Sequence, residues 1–295
     1  MKKFESYPIY INHPGRWEEV RRKQREYFAQ KKDLHMFRWL GDSAKRLYEV
    51  TEDTAPSKES QDYENQVYEL LKVIVSTQAG RLLFGSFNRN VNHWIVPLDL
   101  LDKKVCQGCE AFTFPGAPKE GGGVRVYFSP TDFNPSAVKK NWITISDILF
   151  HELVHAYQMG RTGYNPSPKS MNDYTSVDEF LALHMQNVYL ADRGSCRFYR
   201  DYRTLLHVSK DTAYQHLASD AEALMAFRWF VETDCLANKV SRVMHPASSF
   251  NPWRDQPVLE RMFLNEGGLV GLERLPQFYT RGDLEQQAKN LRPVK

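Results

Sequence analysis

His151, Glu152 and His155, in the stretch His151-Glu152-Leu153-Val154-His155, have the types and the spacing for metal-assisted hydrolysis. On a helix, a step of four residues is a net rotation of about 40°, so the two imidazoles leave one face a turn apart. Two such nitrogens can ligate one Zn²⁺. Glu152 sits about 100° round the helix. There it can reach a water on the metal without being a ligand, and can act as its general base. The pattern fixes only three residues and also occurs by chance, so a third ligand has to be found.

An HExxHxxGxxH continuation would need Gly at 158 and His at 161. The chain has Gln158 and Arg161, so that extension is excluded. The other common source is a glutamate on a following helix. Glu179, in Val177-Asp178-Glu179-Phe180-Leu181-Ala182, lies 24 residues after His155. The segment between holds Gly163, Pro166, Pro168 and Asn172, all suited to turns. Ala182, a turn later, is small enough to let two helices approach. Glu179 has a competing role, because Ser176-Val177-Asp178-Glu179 also fits a capping box. Asp178 is the fallback ligand, and His184 points to another face of that helix, as core or as a support behind the ligands.

The elements that must position these residues can be read from pattern. Ser146 is the expected N-cap of a helix over 146–159, with Asp147 in its first turn and Gly160 as its stop. Ile148, Leu149, Phe150, Leu153 and Val154 make that helix apolar enough to be buried. Helices are also expected at 17–32, at 67–77 with Gly80 as a stop, and at 177–193, 211–239 and 257–264. Residues 51–61 read as a polar linker. Trp94–Pro97 and Gly123–Phe128 read as strands, the second alternating as a half-buried strand does. Gly121-Gly122-Gly123 lacks the Gly-Lys-Ser/Thr ending of a phosphate loop.

The 295 residues hold 42% apolar and 25% charged side chains, which suits a globular chain. The formal net charge of +3 is too small to point to nucleic acid, and the basic stretch 17–32 has interleaved acids that fit a solvated helix face. No apolar run reaches the ~18 residues of a membrane helix. Met1-Lys2-Lys3-Phe4 has no apolar run behind it, so no standard secretory signal is expected, and synthesis in the cytoplasm is. Cys106, Cys109, Cys196 and Cys235 are too sparse for a disulfide framework. Cys106-Gln107-Gly108-Cys109 is a lone CxxC, read as a reduced pair in a turn or as a redox or metal motif.

Taken together, His151-Glu152-x-x-His155 and Asp178-Glu179-x-x-Ala182 resemble the zincin peptidases whose third ligand is a glutamate, the gluzincins. More narrowly, the chain is similar to zincins among bacterial secreted toxins and type III effectors. The similarity lies in Ser76-Thr77-Gln78-Ala79-Gly80-Arg81-Leu82-Leu83, Phe128-Ser129-Pro130, Leu149–Ala156, Asp178-Glu179-Phe180 and Asn187-Val188-Tyr189, with a weaker echo in Phe250-Asn251-Pro252-x-Arg254. It covers roughly residues 70–255. The resemblance implies an α+β, zincin-like fold: a small mixed sheet on the active-site helix and a mostly helical C-terminal half. The expected division is a helical extension over 1–65 and a peptidase domain over 66–295.

The resemblance further implies one Zn²⁺ on His151, His155 and Glu179, Glu152 as general base, and secretion or translocation toward protein substrates in a target cell. Strand 123–129 would be the edge on which an extended peptide adds. A monomer is expected, with no nucleic-acid or membrane partner. Thermolysin-like enzymes carry an Asp four residues after the glutamate ligand, where this chain has Leu183. Asp147, Asp173 or Asp234, or a backbone carbonyl, would have to orient the histidines instead. Tyr164, His245 and Arg254 are candidates for stabilising the oxyanion, and chain order favours Arg254 and His245. The alternatives are a non-proteolytic zinc amidase or deacylase using the same site, and an inactive zincin-like binding protein.

Overall fold

The computed structural model describes residues 2–11, 58–98, 111–115, 123–131, 144–161, 171, 173–201, 206–243 and 250–265. The chain is mixed α and β and divides into two compact units: Met1–Val73 with Phe87–Gly160, and Ile74–Ser86 with Arg161–Lys295. The expected boundary at 65 is not where they part. It falls inside helix α1 (Lys58–Ser76). The expected linker at 51–61 is likewise helical from 58, where Glu, Gln and Tyr dominate after Pro56.

The first unit is built on a five-stranded sheet of β1 (Lys2–Lys3), β2 (Ile9–Ile11), β3 (His93–Pro97), β4 (Ala111–Pro115) and β5 (Val124–Phe128), in the order β1-β2-β3-β5-β4. β2, β3 and β5 are parallel, while β1 and β4 run antiparallel to their neighbours. The N-terminal residues 2–11 are therefore strands of this sheet and not part of a helical extension; Ile9 and Ile11 are buried at period 2. The expected helix at 17–32 lies outside the described residues.

β5 corrects a second expectation. It is interior, between β3 and β4, and all five of its residues are buried. Its Arg125 and Tyr127 looked like a solvent face, but both are buried, as in a parallel strand whose two faces are covered by packed elements. Among the described residues, β4 is the end strand next to it. Helix α1 lies against this sheet, with Val67 and Leu71 buried, Phe4 edge-on to Tyr68 at 5.1 Å, and the Tyr63 hydroxyl donating to Phe128 O at 3.2 Å.

Helix α3 (Ile145–Met159) packs against β4 and β5. Its N-cap is Thr144, not Ser146. Thr144 is extended (φ −100°, ψ 158°), and the Asp147 carboxylate accepts from the Thr144 backbone N–H at 2.5 Å. That places a negative charge at the positive end of the helix. Gly160 closes α3 as expected, its N–H reaching Ala156 O at 2.9 Å. Its φ is −78°, so the need for glycine there is space: a Cβ would meet His93 Nε2 at 2.5 Å. His93 is buried at the start of β3, and burial pulls its pKa down to about 4.

The second unit is mostly helical. Thr77 begins α2 (Gln78–Phe84) by accepting from Gly80 N at 3.0 Å, so Gly80 starts a helix instead of stopping one. A Cβ on Gly80 would fall 1.9 Å from Ile74 O, which bars any other residue. α4 (Val177–Asp192) ends on Asp192, whose carboxylate accepts from Ala79 N at 2.8 Å. Asn187 of α4, fully buried, exchanges two 2.8 Å hydrogen bonds with the backbone of Tyr199 in β6 (Arg197–Tyr199), which pairs with β7 (His207–Ser209).

The expected single helix at 211–239 is three: α5 (Lys210–Ala218), α6 (Ala221–Thr233) and α7 (Cys235–Val243). Two aspartates break it. Asp220 accepts from Glu222 N and Ala223 N, and Asp234 from Ala237 N at 2.9 Å, each capping a new helix. α8 (Pro252–Asn265) starts five residues earlier than expected, with Trp253 turned into the core. Among the described residues, no helix is long and apolar enough to cross a membrane.

Candidate metal centre

α3 carries His151, Glu152 and His155, and the helical spacing read from sequence is realised. His151 Nε2 and His155 Nε2 are 3.1 Å apart, their rings 76° from coplanar. His155 is 8% exposed, while His151 and Glu152 are half-buried. A tetrahedral zinc with bonds of about 2.0–2.1 Å sets neighbouring ligand atoms about 3.3 Å apart, so the histidine pair already has the spacing of two adjacent ligands.

One side of His155 is fixed by a residue that the sequence reading used only to exclude a pattern. Gln158 Oε1 lies 3.0 Å from His155 Nδ1, and Gln158 is 3% exposed. An amide oxygen only accepts, so Nδ1 carries the hydrogen and the Nε2 lone pair faces His151. This is the tautomer a ligand needs, held by a hydrogen bond on the far nitrogen. The signal in sequence was position: 158 is one turn beyond 155, on the same helix.

Glu179 lies in the first turn of α4. Ser176 Oγ accepts from its backbone N–H at 3.1 Å. The cap thus engages the Glu179 main chain. Glu179 is the expected third ligand, and His151, His155 and Glu179 each offer one ligand atom of a kind that zinc takes. Two imidazoles and a carboxylate are the donor set of a catalytic zinc with a position left open. The residues present therefore fit the ion.

The Glu152 carboxylate is engaged by β4, an element the sequence reading did not identify. Thr113 Oγ1 is 2.6 Å from Glu152 Oε2 and 3.0 Å from Glu152 O. Thr113 is buried, whereas its neighbour Phe112 is only half-buried.

The expected supporting aspartates have other work. Asp147 closes the cap of α3, Asp173 pairs with His216 at 3.0 Å, and Asp234 caps α7 and binds Arg161 at 2.5 Å. Of the oxyanion candidates, Tyr164 and His245 lie outside the described residues. Arg254 grips the Asp255 carboxylate with two bonds of 2.7 and 2.8 Å; burial pushes that carboxyl up, but the hydrogen bonds from Arg254 and Tyr214 outweigh it and hold Asp255 below the usual carboxylate range. Arg254 N also takes the Asn251 side-chain oxygen at 3.2 Å, so the Asn251–Arg254 stretch is a helix start.

His184 belongs to the core. It is fully buried against Phe180 (4.6 Å) and Phe227 (4.9 Å), and its Nε2 meets the Tyr174 hydroxyl at 2.8 Å. Burial lowers its pKa to about 3. Cys196 and Cys235 are free and exposed; Cys106 and Cys109 lie outside the described residues. No protein-family model matches this chain, and comparison with curated proteins and with solved structures finds no match.

Proposed function

We propose that the protein is a zinc-dependent endopeptidase of zincin type, with His151, His155 and Glu179 holding one Zn²⁺ and Glu152 as general base. The observation that carries this reading is the convergence of the His151 and His155 Nε2 atoms at 3.1 Å on one face of α3.

A zinc ion in such a donor set polarises a carbonyl and acidifies a water toward neutral pH. The rest of the chemistry belongs to the chain. Gln158 keeps the His155 Nε2 lone pair pointing toward His151. Glu152, bound through Oε2, has Oε1 left to take a proton from the attacking water and to pass it to the leaving amine. β4, the end strand of the sheet beside α3, offers backbone groups on which an extended peptide can lie as a further strand. The resemblance to secreted effector zincins extends the proposal to protein substrates in a target cell.

The test is cleavage of a quenched-fluorescence peptide library and of denatured casein by zinc-loaded protein, beside Glu152→Gln. Cleavage by the wild type that Glu152→Gln abolishes while keeping its zinc supports the reading. Equal cleavage by both, or none by the wild type, refutes it.

A further inference from the structure

Thr113 lies at the centre of β4, opposite Val126 of β5, and is 6% exposed. Its hydroxyl has one hydrogen and two acceptors within reach, Glu152 Oε2 at 2.6 Å and Glu152 O at 3.0 Å. The shorter contact is to the charged group, and a hydroxyl bonds a carboxylate more strongly than a neutral carbonyl, so the hydrogen goes to Oε2. Among the described residues, Thr113 is the only hydrogen-bond partner of that carboxylate. Glu152 is half-buried on a long side chain, and the backbone of α3 alone does not choose its rotamer. The neighbouring positions of β4, Phe112 and Phe114, turn their rings to the opposite face of the strand, 5.9 Å from each other. They offer no polar atom to take its place.

We infer that Thr113 is a positioning residue for the general base: its hydroxyl ties Oε2 of Glu152 to the end strand and leaves Oε1 as the oxygen that accepts the proton. The inference rests on the peptidase reading of the site and adds a consequence to it. The strand on which a peptide would lie is the strand that orients the base, so substrate docking and base alignment share one element. A peptide pairs with β4 through backbone groups, which the Thr113 side chain does not supply. Removing the hydroxyl should therefore slow turnover and leave substrate binding in place.

Thr113→Val keeps the β-branched shape and the preference for a strand but has no hydroxyl. Thr113→Ser keeps the hydroxyl on a smaller side chain. With full-length, zinc-loaded protein and the best-cleaved member of the peptide library, Thr113→Val should lower kcat by about 10–100-fold, the loss expected when a catalytic group is misplaced by about an ångström. KM should stay within about twofold, Tm and zinc content should match the wild type, and Thr113→Ser should recover most of kcat, because the loss lies in alignment and not in binding. A Thr113→Val enzyme with wild-type kcat overturns the inference while the peptidase reading stands. Thr113→Ser as slow as Thr113→Val, or loss of zinc or of thermal stability in both, also overturns it, since shape and packing then explain the effect. A wild type that cleaves no library member is a separate failure, that of the peptidase reading, and removes this inference with it.

Discussion

Two histidines within helices, His155 on α3 and His184 on α4, are both buried, and they have opposite fates. His155 Nδ1 donates to an amide oxygen, and its Nε2 meets a second imidazole nitrogen at 3.1 Å. His184 Nε2 meets a tyrosine hydroxyl at 2.8 Å, and Phe180, Phe227 and Trp253 close round the ring. No hydrogen-bond partner for its Nδ1 is found among the described residues. Burial alone does not separate a ligand from a core residue. What separates them is whether a lone pair points at another donor atom or at a ring edge.

The contrast can be broken by substitution. Glu152→Gln should cut peptidase activity by about 10²–10⁴-fold, the range for loss of a general base, with zinc content unchanged; steady-state kinetics and metal analysis check both. His184→Ala should behave as a core mutant. The cavity and the stranded Tyr174 hydroxyl together should cost about 3 kcal/mol of stability, read by urea unfolding. The folded fraction should keep its zinc. If His184→Ala instead loses metal at full stability, the two histidines have been assigned the wrong way round.

Acid separates core from site in another way. Folded His184 and His93 stay neutral down to about 3 and about 4, below the usual 6.5. Between those values and 6.5 the unfolded chain binds protons that the folded chain does not. This contribution to stability is complete above about pH 6.5 and falls with pH, by about 1.4 kcal/mol per unit for each histidine, until the folded value is reached. Urea midpoints at pH 7 and pH 5 should show the fall, and His184→Leu should flatten it. The smallest effect expected is at Gln158. Gln158→Leu removes the bond to His155 Nδ1 and should weaken zinc binding by about 10–100-fold in a chelator competition, leaving the fold intact.

Helical periodicity carried most of what the sequence disclosed. The α3 motif, the α4 helix with Glu179, and the strands at 93–97 and 124–128 all follow from spacing within ten or fifteen residues. What was not legible depends on pairing between distant segments. Residues 2–11 look like a polar terminus because only two of their apolar side chains are spaced as a strand, and their partner is 84 positions away, Ile9 against His93. β5 alternates like a half-exposed strand because nothing local reveals that both faces of the sheet are covered there. β4 itself, Ala111–Pro115, lies between a CxxC and a segment of Gly and Pro, and its alternation is only Phe112 and Phe114 about Thr113, so turn residues mask it. Thr113 was invisible for the same reason. Gln158 is legible by position, one turn past His155, but a glutamine there carries no signal of its partner until the helix is built.

Metal analysis of purified protein tests the account most directly. After exposure to excess Zn²⁺ and extensive dialysis, the wild type should hold one zinc per chain. His151→Ala, folded by circular dichroism, should hold none. A wild type without stoichiometric zinc, or a folded His151→Ala that keeps it, contradicts the metal centre and everything proposed from it.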